Sequence, residues 1–246
     1  MTNDQIICSV CARGGSKGVP GKNLRPLNGR PLLLHTLDQA RQTGRFAAIA
    51  VSSDDDAILS CAREWGADVV VRRPDEMASD TAAKSPSIRH CVETAEAELG
   101  IQFAAMVDLD ATSPLREPFD IEAALDMLLS SGCNNVISVT PSRKSPYFNM
   151  VELNEDDFGF LSKKLEIPVV RRQDAPKCFD INGSVYAWTR EAFFSGPAAL
   201  SERTRLYIMP EDRSIDIDSE TDWLMVEFLM SRKSEIEKKY IQKKIP

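Results

Sequence analysis

Four helical patterns in the first half of the chain each stop at a glycine, and each glycine is soon followed by a short aliphatic run. No other feature constrains the fold as strongly. The helical stretches are Leu32–Gln42, Asp56–Trp65, Ser87–Leu99 and Phe119–Ser131, closed by Gly44, Gly66, Gly100 and Gly132. Glycine just past a helix end takes the left-handed conformation without a Cβ penalty. The runs Ile6–Cys11, Ala47–Ser52, Val69–Arg72, Ala104–Leu109 and Val136–Thr140 read as strands with two buried faces. Strand–helix–strand units in series predict an α/β fold with a mostly parallel sheet between two helical layers. Ligands of such sheets bind beyond the carboxyl ends of the strands, so the loops leaving each strand are where chemistry is expected.

The rhythm breaks after Thr140. Residues 141–180 carry prolines, charge and an acidic turn at Asn154–Gly159, with weak periodicity, and read as an insertion or arm. Regular runs return at Ser184–Trp188 and Leu206–Met209, and a last helix starts near Glu220 and runs into the basic tail RKSEIEKKYIQKKIP. The 246 residues suit one domain, 1–246, with the arm inside it.

Charge excludes some partners and points to another. The chain has 30 basic and 37 acidic residues, a net charge of −7, which argues against a nucleic-acid polymer or an anionic membrane as partner. Yet Gln5–Leu37 holds no acid, while Arg13, Lys17, Lys22, Arg25 and Arg30 lie within it. That window is expected to meet an anion. No run reaches the roughly 18–20 apolar residues of a membrane span, and the first residues lack the basic flank and apolar length of a secretory signal. The six cysteines therefore read as reduced thiols of a cytoplasmic protein. Cys8 and Cys11 form a C-x-x-C inside a strand, where positions three apart face opposite ways, so no redox or zinc role is expected.

The strongest local signal is Ala12-Arg-Gly-Gly-Ser-Lys-Gly-Val-Pro-Gly-Lys-Asn23, directly after the first strand. Glycines such as Gly14 and Gly15 let backbone N–H groups converge on a ligand, Arg13, Lys17 and Lys22 add cationic donors, and the whole suits a polyphosphate. It is neither standard glycine-rich fingerprint: Ser16 and Asn23 break the Walker pattern, and Arg13 breaks the dinucleotide one. A second signal is Ser214-Ile-Asp-Ile-Asp-Ser-Glu-Thr-Asp222. Extended, it places Asp216 and Asp218 on one face, and Ser219 with Asp222 forms a capping box. Two like-charged carboxylates on one face suit a hard cation such as Mg²⁺. Asp108-Leu-Asp-Ala-Thr-Ser-Pro-Leu-Arg116 ends another strand and offers Asp110, Thr112 and Ser113. Arg171-Arg-Gln-Asp-Ala-Pro-Lys177 supplies bidentate donors of the kind carboxylates prefer. His35 and His90 lie in predicted helices and read as packing or surface residues.

ARGGSKGVPGKN, RPDEMASDTA, TSPLR, RRQDAPK with NGSVY, and SIDIDSETD occur in this order, and together they resemble the acylneuraminate (CMP-sialic acid) cytidylyltransferase family from about Ile6 to Trp223. The resemblance implies a three-layer, Rossmann-like nucleotide-diphospho-sugar transferase fold, a homodimer, and 141–180 as a dimerisation arm reaching the partner's site. It also implies that a sugar-acid hydroxyl attacks the α-phosphorus of CTP, leaving a CMP-sugar and pyrophosphate. By the same resemblance Arg13, Ser16, Lys17 and Lys22 hold the triphosphate, with Arg13 and Lys22 also catalytic. Asn23, Arg73 and Lys84 fall near base and ribose. Asp216 and Asp218 bind Mg²⁺, with Asp216 also helping to activate the hydroxyl. Asp110, Thr112, Ser113, Arg172, Gln173 and Phe179 fall where the sugar acid is recognised.

Two residues depart from the family pattern. Asp110 stands where a sugar-contacting glutamine is usual, and its charge would repel a sugar carboxylate unless a metal or arginine intervenes. Lys84 stands where a small serine usually lies near the cytosine, and a lysine cannot both donate and accept as a hydroxyl does. Both departures leave the transfer chemistry intact while opening the choice of base and sugar.

Overall fold

The computed structural model describes residues 6–77, 84–196 and 199–232. Most of the basic tail and the second half of RPDEMASDTA, residues 78–82, lie outside them. The seven-stranded sheet contains β1 (Ile6–Cys11), β4 (Ala48–Ser53), β5 (Val69–Arg72), β6 (Ala105–Leu109), β7 (Asn135–Pro141), β10 (Phe179–Thr189) and β11 (Thr204–Ile208). Its order is β11-β7-β10-β6-β1-β4-β5. All pairings are parallel except those of β10, which runs antiparallel to both neighbours. The expected strands before Thr140 are found within a residue or two at each end.

Helices cover both faces. On one, α1 (Leu32–Thr43), α2 (Asp56–Trp65) and α4 (Pro118–Ser131) press Leu33, Leu37, Ile58, Ile121 and Leu125 onto Ile6, Cys8, Val10, Val51 and Leu109. On the other, α3 (Lys84–Leu99) and α5 (Arg190–Ser195) press Ile88, Val92 and Phe193 onto Ile7, Ala50, Val71 and Met106. Cys8 belongs to the first layer and Cys11 packs against the second, the opposite-face placement expected of a strand. The four helix-closing glycines all have φ between 61° and 94°. Caps fix the opposite ends: Asp55 accepts from the N–H groups of Ala57 and Ile58, and Ser219 with Asp222 starts α6 (Glu220–Ser231) through the expected capping box.

From β1 the chain builds outward to β4 and β5, then returns to lay β6 on β1's other side. The strand order therefore reverses between β1 and β6, opening a crevice at their carboxyl ends. Both Ala12–Asn23 and Asp108–Arg116 leave strands at that crevice.

Two features go beyond the sequence pattern. A small hairpin joins β2 (Pro26–Leu27) to β3 (Arg30–Pro31) through Asn28 and Gly29, both at positive φ, as a tight two-residue turn demands. The run expected at Ser184–Trp188 is the second half of the longer β10. A register shift between Ile181 and Tyr186 interrupts its pairing with β7, and the polar Asn182-Gly183-Ser184 stretch at that break masked the strand in sequence. The arm leaves from the end of β7 and returns at the start of β10. It forms a hairpin of β8 (Val151–Leu153) and β9 (Gly159–Leu161), and all six of these strand residues are exposed.

Candidate active site

The loop after β1 and the segment before α6 close on each other across the crevice. Gly18 makes this possible: a Cβ there would stand 1.9 Å from the backbone oxygen of Asp218, so any side chain would force the two apart. Lys22 ties them further, its Nζ donating to the Ile217 carbonyl at 2.6 Å and lying 3.4 Å from Asp218 Oδ1. Asn23, almost fully buried, donates from its side-chain amide to the Arg13 carbonyl at 2.9 Å and fixes the loop's curvature. The Gly14 N–H donates to Asp54 Oδ1 at 3.0 Å, so this amide anchors the loop to the end of β4.

The opposite wall is held by β10. Asn182 donates to Ser214 Oγ at 3.0 Å and accepts from Ser138 Oγ at 2.7 Å, coupling the break in β10 to the segment that carries the aspartates. Ile217 N–H donates to the Thr112 carbonyl at 2.9 Å. Gly183, at φ 64°, faces Asp216 Oδ2 and Asp110 Oδ2; a Cβ would meet them at 3.2 and 3.3 Å. Irregular pairing beside a site commonly re-aims side chains, and here it lets two carboxylates crowd one backbone position. Arg116, 1% exposed, braces the wall by donating to the Ser184 carbonyl at 2.6 Å and to Thr36 Oγ1 at 2.9 Å.

The resulting cleft of about 430 Å³ brings together Arg13, Ser16, Lys17, Lys22, Asn23 and Arg73 with Lys84, Asp110, Thr112, Asp216 and Asp218. Arg73, also nearly buried, donates to the Ser52 carbonyl at 3.1 Å. Other expected site residues lie elsewhere. Gly14 and Gly15 form the loop behind the lining. Ser113 is fully buried, its hydroxyl donating to the Asn182 carbonyl at 3.4 Å, so it shapes the wall from behind. Arg172, Gln173 and Phe179 line a separate cleft of about 480 Å³ at the root of the arm, with Lys144 and Lys177.

Charges inside the main cleft are paired unequally. Lys84 Nζ lies 2.7 Å from Asp108 Oδ2 and still closer to Asp110 Oδ1, while Asp108 Oδ1 accepts from Ser9 Oγ at 2.7 Å. Burial works against the Lys84 ammonium, but the two aspartates outweigh it and hold its pKa above the ordinary lysine value. Asp108 is fully buried, and that burial pushes its pKa up against the opposing pull of Lys84. Asp216 is also pushed above the usual carboxylate range, by burial first and then by Asp110 and Asp218, while Thr112 hydrogen-bonds to it and pulls the other way. Its Oδ1 is buried without a hydrogen-bond partner. An orphaned carboxylate oxygen beside a second carboxylate is the donor set Mg²⁺ accepts. No group of three or more His, Cys, Asp or Glu able to hold a metal occurs among the described residues. The pair thus fits an ion that completes its shell with water and phosphate oxygens.

Residues 7–213 match the family model described as cytidylyltransferase. The chain belongs to the cytidylyltransferase family. It is 37% identical over 230 residues to CMP-N,N′-diacetyllegionaminic acid synthase of Campylobacter jejuni, covering 94% of this chain and 97% of that one. Identity is 36% over 230 residues, with the same coverage, to post-translational flagellin modification protein B of Campylobacter coli. Among solved structures, CMP:2-keto-3-deoxy-manno-octonic acid synthetase complexed with CTP is similar in fold, with a TM-score of 0.67 and 18% identity over 93% of this chain and 99% of that one. In this cytidylyltransferase, Gly18, Gly183, Arg116 and Ser9 shape the cleft although sequence reading did not select them. Gly18 was visible inside the glycine-rich loop, Arg116 inside TSPLR and Gly183 inside NGSVY; Ser9 carried no signal outside three-dimensional contact.

Proposed function

We propose that the chain transfers CMP from CTP to a sialic-acid-like 2-keto-3-deoxy sugar acid and releases pyrophosphate. The observation that carries this reading is the cationic loop Arg13–Lys22 docked by Gly18 against the Asp216–Asp218 segment in one cleft. The acceptor's hydroxyl oxygen bonds to the α-phosphorus, the bond from that phosphorus to the β-bridging oxygen breaks, and pyrophosphate leaves. Arg13, Lys17 and Lys22 take up the charge gathering on the leaving pyrophosphate. Asn23, Arg73 and Lys84 line the part of the cleft left for ribose and base. Mg²⁺ held by Asp216 and Asp218 would neutralise phosphate charge when bound. Asp216 accepts the hydroxyl proton.

The chain works as a homodimer on this reading. Support comes from the arm, where Ile167 and Val170 are 83% and 82% exposed and Val151, Leu153 and Phe158 are bare as well. A partner's arm would carry Arg172, Gln173 and Phe179 toward the acceptor end of the main cleft. Six unpaired cysteines and the absence of a membrane-crossing helix among the described residues agree with work in the cytoplasm. Asp110 and Lys84 favour a second reading, the same chemistry with another base or acceptor.

Pyrophosphate release from each of four NTPs with a panel of sugar acids tests the proposal. CTP with a nonulosonic acid is expected to give the highest Mg²⁺-dependent rate. No release from any pair sinks transfer, and a preference for another NTP selects the second reading.

A further inference from the structure

The transfer chemistry leaves the floor of the cleft unexplained. There Asp110 and Asp216 both face Gly183, and Asp108 lies behind, joined to Asp110 through Lys84. With Asp218 beside Asp216, three acids line a cleft that is expected to bind polyphosphate, and Asp108 is buried behind them. Carboxylates this close ionise together only when a cation lies between them. Phosphoryl-transfer sites that hold two divalent ions use such carboxylates to neutralise both sides of the reacting phosphate.

Here one gap is already filled. The Lys84 ammonium bridges Asp108 Oδ2, at 2.7 Å, and Asp110 Oδ1, which is nearer still. The Tyr186 ring lies 5.2 Å from the same nitrogen. Lys84 heads the described part of α3, and its ammonium is held by the two acids. An ammonium is a compact point charge that donates three hydrogen bonds and, unlike a metal ion, cannot leave.

We propose that Lys84 is a built-in cation that occupies the place between Asp108 and Asp110 where a second divalent ion would otherwise bind. The cleft then holds one exchangeable ion, at Asp216 and Asp218, a role that rests on the transfer reading above. Lys84 also offsets part of the charge of Asp110, which eases the approach of a carboxylate-bearing acceptor.

Electron paramagnetic resonance of Mn²⁺, whose free-ion signal falls on binding, counts the ions per chain with no nucleotide and with one equivalent of CTP. The unmodified chain with CTP is expected to bind one. Lys84→Ala is expected to bind one more under both conditions, and Lys84→Ala/Asp110→Asn to return to the original count. Two ions on the unmodified chain, or no gain in a Lys84→Ala protein that circular dichroism shows to be folded, would overturn the proposal. Should Lys84→Ala not fold, the count on the unmodified chain decides alone. Failure to bind CTP, together with an extra ion in Lys84→Ala, would sink the transfer reading and leave this one standing.

Discussion

The strands around the crevice and the arm are built on opposite principles. Every residue of β6 is buried, and β1 leaves only Cys11 partly open, whereas β8 and β9 expose all of theirs. The first region gets its shape from apolar burial within one chain. The second presents Val151, Leu153, Phe158, Ile167 and Val170 to solvent, where burial within the chain contributes almost nothing. The charges of the main cleft sit beside the buried strands, and the second cationic cleft sits at the root of the arm. One chain closes the main cleft with its own residues, whereas it leaves the apolar residues of the arm bare.

Substitutions can break that contrast. The largest effect is expected from Asp216→Ala, with kcat/KM for pyrophosphate release falling about 1000-fold or more and the melting temperature kept, because the loss is electrostatic and local. A rate within tenfold of the original would remove Asp216 from the chemistry. Gly18→Ala comes next. Its methyl group must displace the loop from the Asp218 carbonyl, and a shift near 1 Å is expected to cost on the order of 100-fold in rate. Unchanged turnover would show that the docking of loop and acids is not needed.

Stability and mass separate the core from the arm. Leu125→Ala in the core is expected to cost about 2–5 kcal/mol in denaturant unfolding, since Leu125 is fully buried beneath the sheet. Ile167→Asp on the arm is expected to leave the unfolding of a dilute monomer unchanged within about 0.5 kcal/mol and to halve the mass seen by light scattering. Equal destabilisation by both would mean that the arm packs within its own chain.

How much of this was legible in sequence depends on the range of the interaction that carries each feature. The sheet up to Thr140 was readable because strand burial, helix period and capping glycines are local and agree with one another. The capping box at Ser219 was readable for the same reason. The start of β10 was not, since Asp180, Asn182 and Gly183 match no strand pattern and Asn182 is held in place by Ser138 and Ser214, far away in the chain. The phosphate loop and the paired aspartates stood out as motifs. Their docking did not, because it depends on one glycine meeting one carbonyl some 200 positions later. Asp110 and Lys84 looked like two separate departures from a family pattern, and in three dimensions they are partners in one ion pair. Arg172, Gln173 and Phe179 stood out as a motif too, yet a single chain does not bring them to the main cleft.

The antiparallel strand has a consequence for biosynthesis. β10 inserts between β6 and β7, both of which leave the ribosome earlier, so until residue 189 emerges each of them offers a bare hydrogen-bonding edge made of Val, Ile, Met and Leu. Such edges readily pair with the wrong strand. The nascent protein passes through a stage in which the centre of its sheet is its most adhesive part, and chaperone occupancy during translation should peak there.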